Sequence, residues 1–341
     1  MRFALSQEQR QFGAAVHELL ADADVPGAAR AWADGDHAPG LHVWQALAKA
    51  GVTGLAVPEP YGGLGAGPVD VVVACEELGH HPVPGPIAES VAAVPVLLGA
   101  LPAARGPEHG SVSEWLAGLA DGELISTIAI PPSLPYALDA DVAGLVLLAD
   151  GGRAWLASAR ARLTSIDAAR RLFEVEPTDA VAADAGPAVA AALRLGTLAS
   201  AALLLGAGRG LLETAAEHAR TREQFGRPIG AFQAVKHALA DVLIGLEFAR
   251  PLLYAAAIAV GHDAATAARD VTAARIACAD AARRAARTAL QVHGAIGYSD
   301  ECDVSLWLAK VTALSSAWGS QAEHRATVLA ALAEPDTGPW S

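Results

Sequence analysis

Basic residues, cysteines and aromatics are all scarce in this sequence, and each shortage closes off a class of function. Lys and Arg number 24 against 37 Asp and Glu, leaving a net charge of −13 over 341 residues. Nucleic acids are gripped by clusters of Lys and Arg, and no such cluster is present, so nucleic acid is not an expected partner. The three cysteines, Cys75, Cys278 and Cys302, lie far apart and fit no zinc or redox spacing. They read as small hydrophobes buried in a reducing, cytoplasmic setting. No charged stretch followed by an apolar one opens the chain, so secretion is not indicated. The apolar stretch at 198–212 is interrupted by Gly206, Gly208, Arg209 and Gly210, and reads as a buried helix, with no membrane expected as a partner.

What is abundant is alanine and apolar content, 53% hydrophobic against 18% charged, with β-branched runs confined to short stretches. That balance favours a mainly α fold with ample core for two or three packed subdomains. Helical spacing at 3–21, 43–51 and 69–79, and two short apolar helical runs within 82–120, predict an N-terminal helical domain over 1–120. Pro58, Pro60, Gly62, Gly63, Gly65 and Gly67 force a loop inside it. Over 121–187 the texture changes to the runs ISTIAI, VAGLVLL, AWLASA and LFEVE between turn signals, which predicts a reduced middle β-domain with Trp155 as a buried core residue. Four long helices at 190–221, 230–261, 264–292 and 303–334 predict a C-terminal four-helix bundle over 188–341. Phe232, Val235, Leu239, Val242 and Leu246 mark the buried face of the second, with Lys236 and Asp241 facing elsewhere.

The segment after the first bundle helix carries the chemistry that composition leaves open. An arginine at 222 with an aromatic at 225, near a helix end, can offer a guanidinium to a pyrophosphate and a ring to a flat heterocycle. Gln291 can hydrogen-bond a base edge or a phosphate, and Gly294 permits close approach of backbone N–H groups to an anion. The alternative is that Arg222 caps its helix and Phe225 packs in the core. The YGGLGAG loop is read as a structural turn, because it lacks the preceding strand and following acidic residue of a dinucleotide fingerprint.

Three strings taken together, VPEPYGGLGAG at 57–67, TREQFGRPIGAFQAVKHALAD at 221–241 and QVHGAIGY at 291–298, resemble the acyl-CoA dehydrogenases over nearly the whole chain. The resemblance implies FAD, with Arg222, Gln224, Phe225, Gln233, Gln291 and Gly294 contacting the adenine and pyrophosphate end of a cofactor bound largely in a neighbouring subunit. It implies α,β-desaturation of an acyl-CoA thioester, in which a glutamate removes the α-proton while a hydride leaves for flavin N5. That glutamate belongs to a Tyr-Glu-Gly-Thr stretch in the family; here the stretch is Ala317-Trp318-Gly319-Ser320, and an indole cannot accept the proton.

Relatives that place the base at the start of the first bundle helix offer only Gly196 and Thr197 as counterparts in 195–198, and neither is a carboxylate. Asp241, Glu247, Glu301 and Glu323 read as solvated or salt-bridged helix residues, so no catalytic residue is assigned. The family's Thr-Glu-Pro, Gly-Ser-Asp and Trp-Ile-Thr elements around the flavin ring have no clear counterparts between 124 and 177. The WGSQAEHR end is similar to the subunits without a base in heteromeric, steroid-degrading actinobacterial acyl-CoA dehydrogenases. The expectation is a heterodimer or heterotetramer whose second acyl-CoA dehydrogenase subunit supplies the base. Two alternatives stand beside it: a self-sufficient dehydrogenase, oxidase or monooxygenase with another base, and a non-catalytic acyl-CoA-binding scaffold.

Overall fold

The computed structural model of the chain describes residues 4–101 and 110–333. Its first helix, α1 (Gln7–Ala21), opens on a reciprocal cap: Gln9 N–H donates to Ser6 Oγ (3.1 Å) and Ser6 N–H to Gln9 Oε1 (3.0 Å). The first residue of the expected 3–21 helix lies outside the described residues. A short α2 (Val25–Asp34), absent from the expectation, starts on the Asp24 cap with Pro26 in its first turn and stops at Gly35, whose φ is +93°. Helix α3 (Ala38–Lys49) begins earlier than the expected run, and α4 (Pro68–His80) follows the Pro/Gly loop. A π-helical turn (Ala88–Ala93) runs into α5 (Val94–Ala100), and α6 (Val112–Ala120) closes the layer. Residues 102–109 of the expected 82–120 helical stretch lie outside the described residues.

The sheet has five strands: β1 (Ser126–Ala129), β2 (Ala137–Leu138), β3 (Leu145–Asp150), β4 (Arg153–Leu163) and β5 (Leu172–Ala182), in the order β1-β3-β4-β5-β2. The four expected apolar runs each contribute one strand, and the two-residue β2 adds the fifth. β1 pairs with β3 in parallel; the remaining pairs are antiparallel. Trp155 is half-buried, not the core residue expected, because register shifts on both sides of it break the in–out alternation of β4. The helical layer is tied to the sheet by a buried cluster, in which Trp32 Nε1–H and Arg171 Nε–H both donate to Asp139 Oδ1 (3.1 Å each).

The rest is a bundle: α7 (Gly186–Thr221), α8 (Gln233–Gly261), α9 (Ala267–His293), α10 (Val304–Leu314) and α11 (Gln321–Ala333). The single helix expected over 303–334 is divided into α10 and α11, with residue 334 outside the described residues. The break is marked locally by Gly319 and a reciprocal Ser320–Glu323 cap, and is held by a tertiary contact. The guanidinium of buried Arg275 on α9 donates Nη2–H to the carbonyls of Leu314 and Ala317, and Trp318 and Gly319 then take φ of +57° and +92°. Cys75 and Cys278 are buried, their thiols pushed up to about 12 by burial, and Cys302 is half-buried.

Two helices, α7 and α8, are long and apolar enough to cross a membrane by length and composition, but 78% of the α7 window is buried inside the fold against 39% for α8. Helix α7 is therefore the axle of the core. It meets α4 at backbone contact: a Cβ at Gly206 would stand 1.8 Å from Glu76 O, and one at Gly79 2.1 Å from Leu203 O. Beside that crossing, buried Glu76 accepts from Arg209 Nη1 (2.9 Å), Arg250 Nη2 (3.1 Å) and Tyr254 Oη (3.0 Å), joining α4, α7 and α8. Replacing Gly206 by alanine is expected to cost about 3 kcal/mol, the upper end of overpacking penalties, because the added methyl meets a carbonyl and not a movable side chain. Urea unfolding midpoints of Gly206→Ala and the parent protein check this; an unchanged midpoint would contradict the close crossing.

Candidate functional site

Thr221 ends α7, and the chain turns back at once through a two-strand hairpin, β6 (Glu223–Gln224) against β7 (Arg227–Pro228). Phe225 and Gly226 form its two-residue turn with φ of +54° and +76°, the pair of positive values that a tight hairpin of natural twist demands. The turn thrusts Phe225 outward, leaving it 91% exposed and excluding core packing. Its ring meets Phe232 edge to face with centroids 6.1 Å apart, and Arg227 lies over the Phe232 ring at 4.1 Å. The backbone N–H of Arg222 caps α7 by donating to His218 O (2.9 Å), while its side chain is exposed and makes no hydrogen bond or ion pair among the described residues.

Gln224, Gln233, Gln291 and Gly294 are exposed as well. Stacked rings of His218 and His293, 4.2 Å between centroids, bind the C-terminal ends of α7 and α9 together. That contact brings Gln291 and Gly294 to the same end of the bundle as the hairpin. Gly294 caps α9 at φ +66° with open space where a Cβ would sit, although its own N–H is used within the helix, donating to Leu290 O. Asp241, Glu247, Glu301 and Glu323 are all exposed; Glu247 pairs with Arg250 (2.8 Å), and Glu323 accepts from Ser320 N–H (2.7 Å) at the start of α11.

The position that would carry a carboxylate is built differently. Trp318 is 1% exposed and its indole lies on Gly196, where a Cβ would come within 2.2 Å of Cη2 and Cζ3. One side chain thus fills both places from which a base was sought. The turn is locked from three directions: Arg275 holds the carbonyls before it, Gly319 N–H donates to Ser133 O (2.9 Å) in the loop between β1 and β2, and the His324 ring backs Gly319.

Behind the indole lies a residue that sequence reasoning passed over. Glu89, buried in the π-helical turn, shares with Trp318, Arg170 and Lys310 a cavity of only about 20 Å³. Burial pushes its carboxyl above the usual range, opposed by Arg170 and by the neighbouring Trp318 indole. A carboxylate inside the apolar string PIAESVAAV was the available signal. The cavity has room for about one water molecule, whereas sites for small organic ligands occupy roughly 300–1,000 Å³. On its other face the indole borders an open groove of about 320 Å³ that includes Ser133, Arg194, Thr272 and His324.

A helical N-terminal layer, a small sheet and a bundle built on one buried helix make up the architecture that carries these residues. The family model for the acyl-CoA dehydrogenase N-terminal domain matches residues 6–123, and that for the C-terminal domain residues 186–333. Acyl-CoA dehydrogenase IpdE2 of Mycobacterium tuberculosis is 32% identical over 306 residues, covering 88% of this chain and 90% of that protein. IpdE2 of Mycolicibacterium smegmatis is 30% identical, covering 89% and 92%. The ChsE4-ChsE5 complex from Mycobacterium tuberculosis contains a chain that superposes with a TM-score of 0.80 at 25% identity, covering 99% of this chain and all of that one. The chain belongs to the acyl-CoA dehydrogenase family, oxidoreductases acting on CH–CH bonds.

The contact of Trp318 with Gly196 has a measurable signature. Gly196→Ala is expected to destabilise the protein by about 1–3 kcal/mol through overpacking, and Trp318→Ala by about 3–5 kcal/mol through cavity formation. Combined, they should cost clearly less than the sum, since the new methyl enters the vacated space. Strictly additive unfolding free energies would contradict the contact.

Proposed function

We propose that this chain is the subunit without a base in a heteromeric, FAD-dependent acyl-CoA dehydrogenase, and that it lends FAD contacts to a partner subunit. The observation that carries this reading is the Trp318 indole packed on Gly196, which leaves neither position able to present a carboxylate. The residues present fit the pyrophosphate and adenine end of FAD. A free guanidinium at Arg222, an outward ring at Phe225 and open space beside Gly294 suit the pyrophosphate and adenine end. The water-sized cavity behind Trp318 does not suit an isoalloxazine.

In this reading Arg222 neutralises pyrophosphate charge, Phe225 covers a flat face, and the amides of Gln224, Gln233 and Gln291 hydrogen-bond cofactor heteroatoms from across the interface. FAD, when bound, supplies the acceptor for the hydride that leaves the β-carbon of the thioester. The partner subunit's carboxylate takes the α-proton, and this chain's contribution to the chemistry is to hold the cofactor in register with it.

A partner also answers the surface of α8. Leu243, Ile244, Phe248 and Leu252 are exposed along it, with Phe248 75% exposed, and together with the hairpin they present an apolar surface that water disfavours. The ChsE4-ChsE5 likeness supports a second acyl-CoA dehydrogenase chain as what covers it. The acyl group is assigned to the steroid-derived class on the resemblance of the 318–325 segment to that type of subunit. Glu89 favours a self-sufficient enzyme only in being a buried carboxyl; the surrounding 20 Å³ gives no substrate carbon access to it.

Arg222→Ala, assayed in the assembled heteromer, is expected to weaken FAD binding by the roughly 1.5–3 kcal/mol of a charge-assisted contact, about 10- to 150-fold in Kd. Flavin fluorescence titration measures it. Unchanged affinity would sink the assignment of Arg222 to the cofactor.

A further inference from the structure

At the C-terminal end of α4, three imidazoles from two helices surround a common point. His17 comes from α1, His80 ends α4 and His81 caps it, and their ring centroids form a nearly equilateral triangle with sides of 5.0, 4.9 and 5.1 Å. One nitrogen from each ring lies within 4.8 Å of the others. His17 Nδ1 and His81 Nε2 are 3.3 Å apart, close to the roughly 3.3 Å edge of a tetrahedron around an ion with 2.0–2.1 Å bonds to nitrogen.

Hydrogen bonding alone leaves this cluster incomplete. The His17–His81 contact can be a single N–H···N bond, but His80 Nδ1 is buried and has no partner among the described residues. His80 Nε2 lies 3.1 Å from Glu213 Oε2, the kind of carboxylate neighbour that can orient a metal-bound imidazole. Glu77 Oε2 stands 3.1 Å from His17 Nδ1 and adds an anionic donor at the rim.

The charges facing the cluster are Glu77 and Glu213 on one side and Arg209 on the other. Arg209 is already engaged by Glu77 Oε1 (2.8 Å) and Glu76 Oε1 (2.9 Å), so its field is largely met by those carboxylates. Access is open: His80 and His81 line a groove of about 470 Å³, and the His17 side chain is 39% exposed.

We propose that His17, His80 and His81 bind a divalent transition-metal ion of the zinc class, clipping α1 to α4. Three imidazoles and one open position suit Zn²⁺, and Ni²⁺ or Co²⁺ at the same donors, over the oxygen-seeking Mg²⁺ and Ca²⁺. The site requires neither flavin nor a partner subunit, so its success or failure is separate from the function proposed above.

The full chain without a polyhistidine tag, stripped by chelator and dialysed, is titrated with zinc chloride by calorimetry, with bound metal counted by elemental analysis. One zinc per chain is expected, together with a raised unfolding temperature. His81→Ala should weaken binding about 100-fold, the share of one ligand in a site of this kind. His17→Gln, at a partly exposed position that leaves the helix core untouched, should weaken it similarly while circular dichroism stays unchanged. Zinc uptake that is absent in the parent protein, or unaltered in both variants, would overturn the site. So would uptake lost in His218→Ala but kept in His81→Ala, which would move the ion to the stacked His218–His293 pair.

Discussion

The backbone contact between α4 and α7 is the constraint on which the remaining architecture hangs. With Gly206 against the Glu76 carbonyl and Gly79 against that of Leu203, the two helices approach more closely than any side chain permits. Such proximity maximises dispersion between the two helices and removes water from the polar groups beside them. Glu76 is drawn into that dry region and needs Arg209, Arg250 and Tyr254 to satisfy it, since an unpaired buried charge costs several kcal/mol. Its partners lie on α7 and α8, so one crossing fixes the registry of three helices. The two ends of α7 then serve separate purposes: Gly196 faces the Trp318 turn, and Thr221 launches the hairpin.

At the first end, α7 is tightly packed. The indole of Trp318 removes a large apolar surface from water, and the turn that carries it is held by Arg275, the Ser133 carbonyl and the His324 ring. Introducing a carboxylate at 318 would put a charge where a 1% exposed indole now packs, and introducing a side chain at 196 would drive its Cβ into that indole. At the other end the surface is the reverse: an arginine without a partner among the described residues, an aromatic ring in water and an apolar stripe along α8.

Elements with strong periodicity were legible in the sequence because their own side chains decide them: α1, α4, α7, α8 and α9 all lie where helical spacing placed them. What escaped was decided elsewhere. Helix α2 is short, with the sequence VPGAARAWAD, and depends on the Asp24 cap more than on any apolar stripe. The break between α10 and α11 is held by a guanidinium from α9, although Gly319 and the reciprocal Ser320–Glu323 cap that starts α11 were local signals for it. The exposure of Phe225 follows from a hairpin turn whose positive φ values only the fold displays. Glu89 hid within an apolar run, and the histidine triad unites residues 64 positions apart.

A shared flavin site makes one demand that is read directly from purified protein. The chain is expressed alone and together with a base-bearing acyl-CoA dehydrogenase partner, and FAD per chain is measured from visible absorption. A colourless chain alone and a yellow heteromer with fewer FAD molecules than chains are the expected results. Full flavin occupancy of the chain by itself would contradict the shared site and mark a self-sufficient flavoenzyme.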